Sequence, residues 1–216
     1  LHEGINLGGK LGTVGLITYM RTDSLRISKE AQAETVAYLT ANFDKEYISP
    51  RQFKTKKGAQ DAHEAIRPTS VNIVPQNIKD KLTNDQYKLY KLIWERFLAS
   101  QMSAAEYDTV QVTLDAKGHT FKANGSSLAF SGYMAIYVEG SDTKAEKEKA
   151  LPVLKEKTMA KLKAIEKSQH FTQPPARFTE ASLVKELEDN GIGRPSTYAP
   201  TIATIISRGY VVRSKK

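Results

Sequence analysis

Cysteine is absent from the sequence, which removes disulfides, thiolate zinc sites and thiol nucleophiles at once. Long apolar runs are missing too. No stretch approaches the roughly 18 uninterrupted apolar residues of a membrane span, and no signal-peptide pattern opens the chain. Acidic charge is in deficit: 24 Asp and Glu stand against 32 Lys and Arg, a formal net charge of +8. Such a surplus favours polyanionic partners, because Lys and Arg release counterions from phosphate backbones, although a merely solvated basic face has the same composition. What is present suffices for packing, since 40% of the 216 residues are hydrophobic, enough for one or two domains. The class expected is a soluble, basic, cytoplasmic protein with no membrane partner. The opening Leu1-His2-Glu3-Gly4 carries no initiator Met, so a fragment of a longer chain is expected.

Hydrophobic spacing divides the chain. After the glycines from Gly8 to Gly15, Leu16-Ile17-Thr18-Tyr19 reads as a short buried strand. Ser28 predicts a helix cap, with the helix running to about Phe43. A basic loop follows (Arg51, Lys54, Lys56, Lys57, Gly58), and His63 to Arg67 predicts one or two helical turns stopped by Pro68. Asn84 caps the longest predicted helix, to about Ala104, with Tyr87, Tyr90, Ile93, Trp94, Phe97 and Leu98 as its core face. From Tyr107 the period becomes two, Gly118 turns the chain into His119 to Asn124, and a β-rich segment is expected over about 106–167. The charged stretch from Ser141 to Lys157 interrupts it and reads as a solvated excursion. Pro174-Pro175 marks a boundary. Beyond it Thr179 caps a helix to Leu187, Gly191-Ile192-Gly193 turns, Ser196 caps a helix to Ser207, and Tyr210-Val211-Val212 reads as a strand. The fold class expected is α+β and multidomain: a helical tyrosine-bearing domain over 1–105, a β-rich arch segment over 106–170, and a helix-turn-helix-like end over 171–216.

Four motifs bear on chemistry. Gly4, Gly9 and Lys10 have phosphate-loop spacing, but Leu11 stands where a magnesium-binding hydroxyl belongs and no apolar strand precedes Gly4, so nucleotide binding is rejected. Tyr19 after Leu-Ile-Thr would ordinarily be core. The polar set that follows, Arg21, Thr22, Asp23 and Ser24, raises the alternative of a nucleophile. A phenol with a pKa of about 10 attacks well only when a cation favours the phenolate, and a guanidinium also steadies charge developing on a phosphoryl group. His63 and Arg67, at i and i+4, would share a helical face, and phosphate contact and local pairing stand level as readings. Arg194, Ser196 and Thr197 lie at a predicted helix N-terminus, where free amides and the helix dipole favour an anion; plain capping by Ser196 is compatible with that.

Taken together, these segments resemble the type IA DNA topoisomerases, the bacterial topoisomerase I family. The resemblance lies in Gly15-Leu16-Ile17-Thr18-Tyr19-Met20-Arg21-Thr22-Asp23-Ser24, in Ala62-His63-Glu64-Ala65-Ile66-Arg67-Pro68-Thr69, and in Pro174-Pro175-Ala176-Arg177-Phe178-Thr179 continuing to Gly191-Ile192-Gly193-Arg194-Pro195-Ser196-Thr197-Tyr198. Three long motifs in order extend it over essentially the whole chain. It implies that Tyr19 attacks one DNA strand to form a 5′-phosphotyrosine, and that Arg21 orients the scissile phosphate. It further implies that His63 lies near the bound strand and that Arg194 with Thr197 contacts DNA. Strand passage and ATP-independent relaxation of negatively supercoiled DNA follow for the full enzyme. The family's magnesium site lies on a Toprim domain with an Asp-x-Asp pattern, and no such pattern occurs here. No cofactor is therefore expected on this fragment, which resembles the tyrosine domain, the returning arch and the start of the base domain. The partner implied is single-stranded DNA, bound by a monomer associated with the nucleoid.

Two other classes compete. A non-catalytic DNA-binding module built on the helix-turn-helix-like end would tolerate Tyr19→Phe and lose binding in Arg194→Ala. A tyrosine recombinase would place its tyrosine after its Arg and His residues, whereas Tyr19 precedes His63, Arg67 and Arg194. Binding of a single-stranded oligonucleotide, titrated by fluorescence anisotropy, is expected to weaken steeply between 50 and 200 mM salt, as roughly log-linear counterion release requires. Salt-independent binding would reduce the basic surplus to a solvated face.

Overall fold

The computed structural model describes residues 1–53, 63–138, 151–152 and 154–214. The chain divides into two compact units, Leu1–Lys149 and Ala150–Lys216. Lys54, Lys56, Lys57 and Gly58 of the expected basic loop lie outside the described residues, as do residues 141–150 and 153 of the charged stretch.

The first unit opens with an antiparallel hairpin, β1 (Ile5–Gly8) and β2 (Gly12–Val14), with Ile5 opposite Val14. The segment that mimics a phosphate loop, Gly4 to Leu11, is thus strand β1 with the turn that follows it, and leads into no helix. Sequence spacing predicts only a turn here. Glycine carries no strand signal, and only Leu7 of these two strands is buried.

Helix α1 (Lys29–Asn42) begins where Ser28 Oγ accepts from the Ala31 amide and ends at Phe43, as its sequence predicts. Ala31, Thr35 and Leu39 are its buried positions, spaced by four. Helix α2 (Asn84–Ser100) starts one residue earlier than predicted, because Thr83 and Gln86 form a reciprocal capping box. It also stops four residues short of Ala104. There the chain pairs with residues 47–49 instead: Ser49 N donates to Gln101 O at 3.1 Å and Ser103 N to Tyr47 O at 2.9 Å. Fully buried Gln101 holds the next strand-like stretch, accepting from Arg51 N at 3.1 Å and donating to Arg51 O at 3.2 Å.

Tyr90, Trp94, Phe97 and Leu98 of α2 join Leu16, Ile17, Ile27, Leu39, Val71, Ile78 and Met102 in one core. Two of these anchors have polar tips that find backbone partners. Trp94 Nε1 donates to Val71 O at 3.0 Å and the Tyr90 hydroxyl to Ile73 O at 2.7 Å. They fasten residues 71–73 onto α2, ahead of a 3-10 turn at Pro75–Lys81 that the spacing does not reveal.

Strands β3 (Glu106–Ala116) and β4 (His119–Phe130) form a long antiparallel hairpin through Lys117-Gly118. On one face Val110, Val112 and Leu114 oppose Gly125, Ala123 and Phe121. The second strand runs past the expected Asn124, but strand structure then ends. Residues 151–152 and 154–167 carry none, which corrects the expectation of β structure up to 167. Beyond Phe130 the chain instead enters a 3-10 turn, Gly132–Ala135, held by Tyr133 N donating to Ser103 O at 2.8 Å.

The second unit contains α3 (Glu180–Asp189) and α4 (Tyr198–Ser207). Thr179 and Ser182 form a capping box at the first. Both helices end in the same way, with Gly191 or Gly209 at positive φ. Ile192 N then reaches back to Leu187 O and Tyr210 N to Ile205 O, the Schellman arrangement. Two expectations are corrected here. Thr197, not Ser196, is the N-cap residue of α4, and Tyr210 to Val212 form no strand, having no pairing partner among the described residues. Helices with small antiparallel sheets make the class α+β. Among the described residues no helix is long and apolar enough to cross a membrane.

Leu98→Ala, at a position with no exposure, should destabilise the first unit by about 2–5 kcal/mol, whereas Leu89→Ala on the open face of α2 should cost no more than about 0.5 kcal/mol. Denaturant unfolding followed through the fluorescence of Trp94, the single tryptophan, checks both.

Candidate active site

The site grows out of a short antiparallel pairing. Ile17 bridges Pro68, Thr18 N donates to Arg67 O at 2.9 Å, and Thr69 N donates to Leu16 O at 3.0 Å. The Thr18 hydroxyl adds two further bonds, donating to Ala65 O at 2.7 Å and accepting from Arg67 N at 3.0 Å. These contacts correct the expectation of a helix over His63 to Arg67. A residue before proline resists the helical region, and the backbone groups that helical turns would use are spent on Thr18 and, through Ala65 N, on Arg26 O at 2.9 Å. Ile66, which local packing would turn inward, is exposed.

The pairing brings Tyr19 and His63 together. Leu16 and Ile17 are buried, while Tyr19, next along, keeps 39% of its surface exposed. Its ring stacks on His63 at 5.5 Å between centroids, with 28° between planes. On another side His2 meets it edge-on, also at 5.5 Å and at 66°. Among the described residues the Tyr19 hydroxyl makes no hydrogen bond. Elsewhere in the unit burial pushes the Tyr38 and Tyr90 phenols above their ordinary value, and at Tyr90 the charge of Glu34 adds to the effect.

His2 is the neighbour that spacing cannot find. It arrives because Leu16 N donates to Leu1 O at 2.8 Å, laying residues 1–2 along residues 15–17. Gly15 makes the approach possible: a Cβ there would sit 2.6 Å from the His2 carbonyl oxygen.

The arginines divide. Arg67 is 12% exposed, and its fork is fully engaged: Nε donates to Glu64 Oε2 at 2.8 Å, Nη2 pairs with the same oxygen at 2.6 Å, and Nη1 donates to Pro68 O at 2.9 Å. Arg21 is exposed and among the described residues makes neither hydrogen bond nor ion pair. Of the two, Arg67 is spent within its own loop, on Glu64 and Pro68, while Arg21 is exposed. Thr22 and Ser24 keep the backbone after Arg21 turned, through Ser24 N to Thr22 Oγ1 at 3.0 Å and Arg26 N to Ser24 Oγ at 3.2 Å.

In the second unit Arg194, Ser196 and Thr197 are all exposed on the turn before α4. Thr197 Oγ1 accepts from Arg194 N at 2.8 Å and donates to Arg194 O at 3.1 Å, so it ties the turn and leaves Ser196 outward. Arg194 lies on the turn that leads into Tyr198, where α4 begins.

Among the described residues no group of three or more His, Asp or Glu side chains could hold an ion.

Two comparisons bear on this geometry. The family model described as DNA topoisomerase matches residues 5–216. The full-length topoisomerase I from Thermotoga maritima is similar in structure, with a TM-score of 0.73 and 36% sequence identity. The match covers 99% of this chain and 34% of that one, so the chain spans about a third of that protein's length.

Thr18→Val removes the hydroxyl that serves Ala65 O and Arg67 N, and should cost about 1–3 kcal/mol of stability by leaving those groups unpaired. Calorimetric unfolding checks it; a change below 0.5 kcal/mol, roughly the surface level, would mean the pairing holds without this residue.

Proposed function

The chain belongs to the bacterial topoisomerase I family, the type IA DNA topoisomerases, and from that premise we propose that Tyr19 is the nucleophile of a strand-cleavage reaction. Its phenol oxygen attacks a phosphorus of single-stranded DNA, the bond from phosphorus to the 3′ oxygen breaks, and that oxygen leaves as a hydroxyl. The proton lost by the phenol balances the one gained by the leaving group. The product is a 5′-phosphotyrosine. Its ester keeps the energy of the broken linkage, so attack by the 3′-hydroxyl reseals the strand without ATP. The observation that carries this reading is an exposed phenol at the end of a buried segment, gripped by imidazoles and unspent on hydrogen bonds among the described residues.

Arg21 would bind the phosphate under attack, as an always-charged, accessible guanidinium two residues from the nucleophile. His63 would hold the phenol ring and face the same strand. Arg67 serves by bracing the loop that carries His63, through Glu64 and the Pro68 carbonyl. Arg194 and Thr197 would contact the DNA backbone at the start of α4. Magnesium would be supplied by a Toprim domain of the whole enzyme, outside this chain. In that enzyme the product of repeated cleavage, strand passage and religation is relaxation of negative supercoils, carried out by a monomer on the cytoplasmic nucleoid.

The test is a denaturing gel of the chain incubated with a 3′-labelled single-stranded oligonucleotide, alone and with the missing domain added. A covalent adduct that needs the added domain and vanishes in Tyr19→Phe is expected. With both domains present Tyr19→Phe should lower adduct formation by at least about 10⁴-fold, the scale of losing a nucleophile. Salt-sensitive binding that survives Tyr19→Phe, with no adduct under any condition, would favour a non-catalytic DNA-binding module.

A further inference from the structure

We infer that His2 is a positioning residue for the Tyr19 phenol, closing with His63 an aromatic clamp that fixes the ring while leaving its oxygen free to react. The inference rests on the reading of Tyr19 as nucleophile. The two histidines come from opposite sides in sequence, one before the hairpin β1–β2 and one after α1, yet both ring centroids lie 5.5 Å from that of Tyr19. Their planes differ: His63 is stacked at 28° and His2 is edge-on at 66°, so together they restrain the phenol about more than one axis.

His2 is itself held on two counts. Its Nδ1 lies 3.3 Å from the Ile17 carbonyl oxygen. A carbonyl only accepts, so this bond requires the proton on Nδ1 and fixes both tautomer and ring orientation. Its backbone is set by the Leu1–Leu16 hydrogen bond and by the missing side chain of Gly15, which would otherwise collide with the His2 carbonyl. The imidazole therefore hangs from the backbone of the segment that ends in Tyr19, and moves with it.

Such a clamp solves a mechanical problem. A nucleophile attached to a phosphate must keep its direction before and after the bond forms, since a displacement of about 1 Å can cost 10²-fold in rate. Hydrogen bonds to the phenol oxygen would fix direction only by occupying the reacting atom. Contacts to the ring do not.

The experiment compares His2→Ala and His2→Phe in the whole enzyme, reading single-turnover adduct formation at saturating oligonucleotide, the dissociation constant, and NMR signals of the Tyr19 ring. Tyr19→Phe assigns those signals. His2→Ala should form adduct about tenfold more slowly with an unchanged dissociation constant, and the ring-current shift of Tyr19 should shrink. His2→Phe, which keeps a ring but loses the Ile17 bond, should recover most of the rate. A wild-type rate in His2→Ala overturns the inference, as does a His2→Phe as slow as His2→Ala, which would assign the effect to the imidazole nitrogens. A Tyr19 ring shift untouched by His2→Ala overturns it as well. Should the wild type form no adduct, the nucleophile reading fails on its own, and the ring shift alone decides whether the clamp exists.

Discussion

The meeting of Tyr19 with His63 depends on one antiparallel pairing, that of residues 16–18 with residues 65–69. Its main-chain bonds run both ways, Thr18 to Arg67 and Thr69 to Leu16, and the Thr18 hydroxyl locks them by serving Ala65 and Arg67 together. Each bond contributes only about 1 kcal/mol net, so the pairing is not what makes the unit stable. Burial of Leu16 and Ile17 in the core with α2 does that. The pairing decides register instead. A shift by one residue would leave the Thr18 hydroxyl without its two partners and carry His63 away from Tyr19.

The same division between anchoring and presentation recurs in the charged residues. Arg67 and Arg21 flank the site with identical side chains and opposite fates. Arg67 is shielded and meets a carboxylate and a carbonyl through three nitrogens, a use that needs the planar fork and that a lysine could not reproduce. Removing Glu64 would leave that guanidinium partly buried with an unpaired charge, so the pair is held together by the cost of separation more than by its own attraction. Arg21 is exposed and carries no such desolvation cost in the free protein.

How much of this could be read from the sequence follows from how local each signal is. The starts of α1 and α3 were legible because Ser28 and Thr179 cap through neighbours three residues away. The buried face of α2 was legible because its period of three and four survives in Tyr90, Trp94, Phe97 and Leu98. The segment from His63 to Arg67 failed for the opposite reason: its spacing suits a helix, but Thr18 and Arg26, far off in sequence, claim its backbone, and tertiary context overrides local preference. Ser196 failed as a cap because α4 starts one residue later, at Tyr198, with Thr197 as the N-cap residue and its hydroxyl turned back onto Arg194. Tyr19 and Arg21 stand out only through the polar run after an apolar one, which leaves a core tyrosine the commoner reading; the resemblance is what makes them candidates. His2 could not be picked out, because nothing around it in sequence announces a contact that depends on the absence of a side chain at Gly15.

That last contact also bears on why the glycine-rich opening exists at all. The hairpin β1–β2 buries little, and Leu7 alone of its two strands counts among the buried core residues. Its effect is geometric. By reversing the chain between Ile5 and Val14 it returns residues 15–17 to the side of residues 1–2, where Leu1 and Leu16 bond and His2 reaches the phenol. A helix or an extended linker of the same length would carry His2 far from Tyr19, since nine or more residues span about 14 Å even as a helix. A tight hairpin is the local structure that brings chain ends back within contact distance at so short a separation. The Gly-rich composition that resembles a phosphate loop is therefore better understood as what a bulged, sharply turned hairpin requires, with the reward appearing at Tyr19 and not at the glycines themselves.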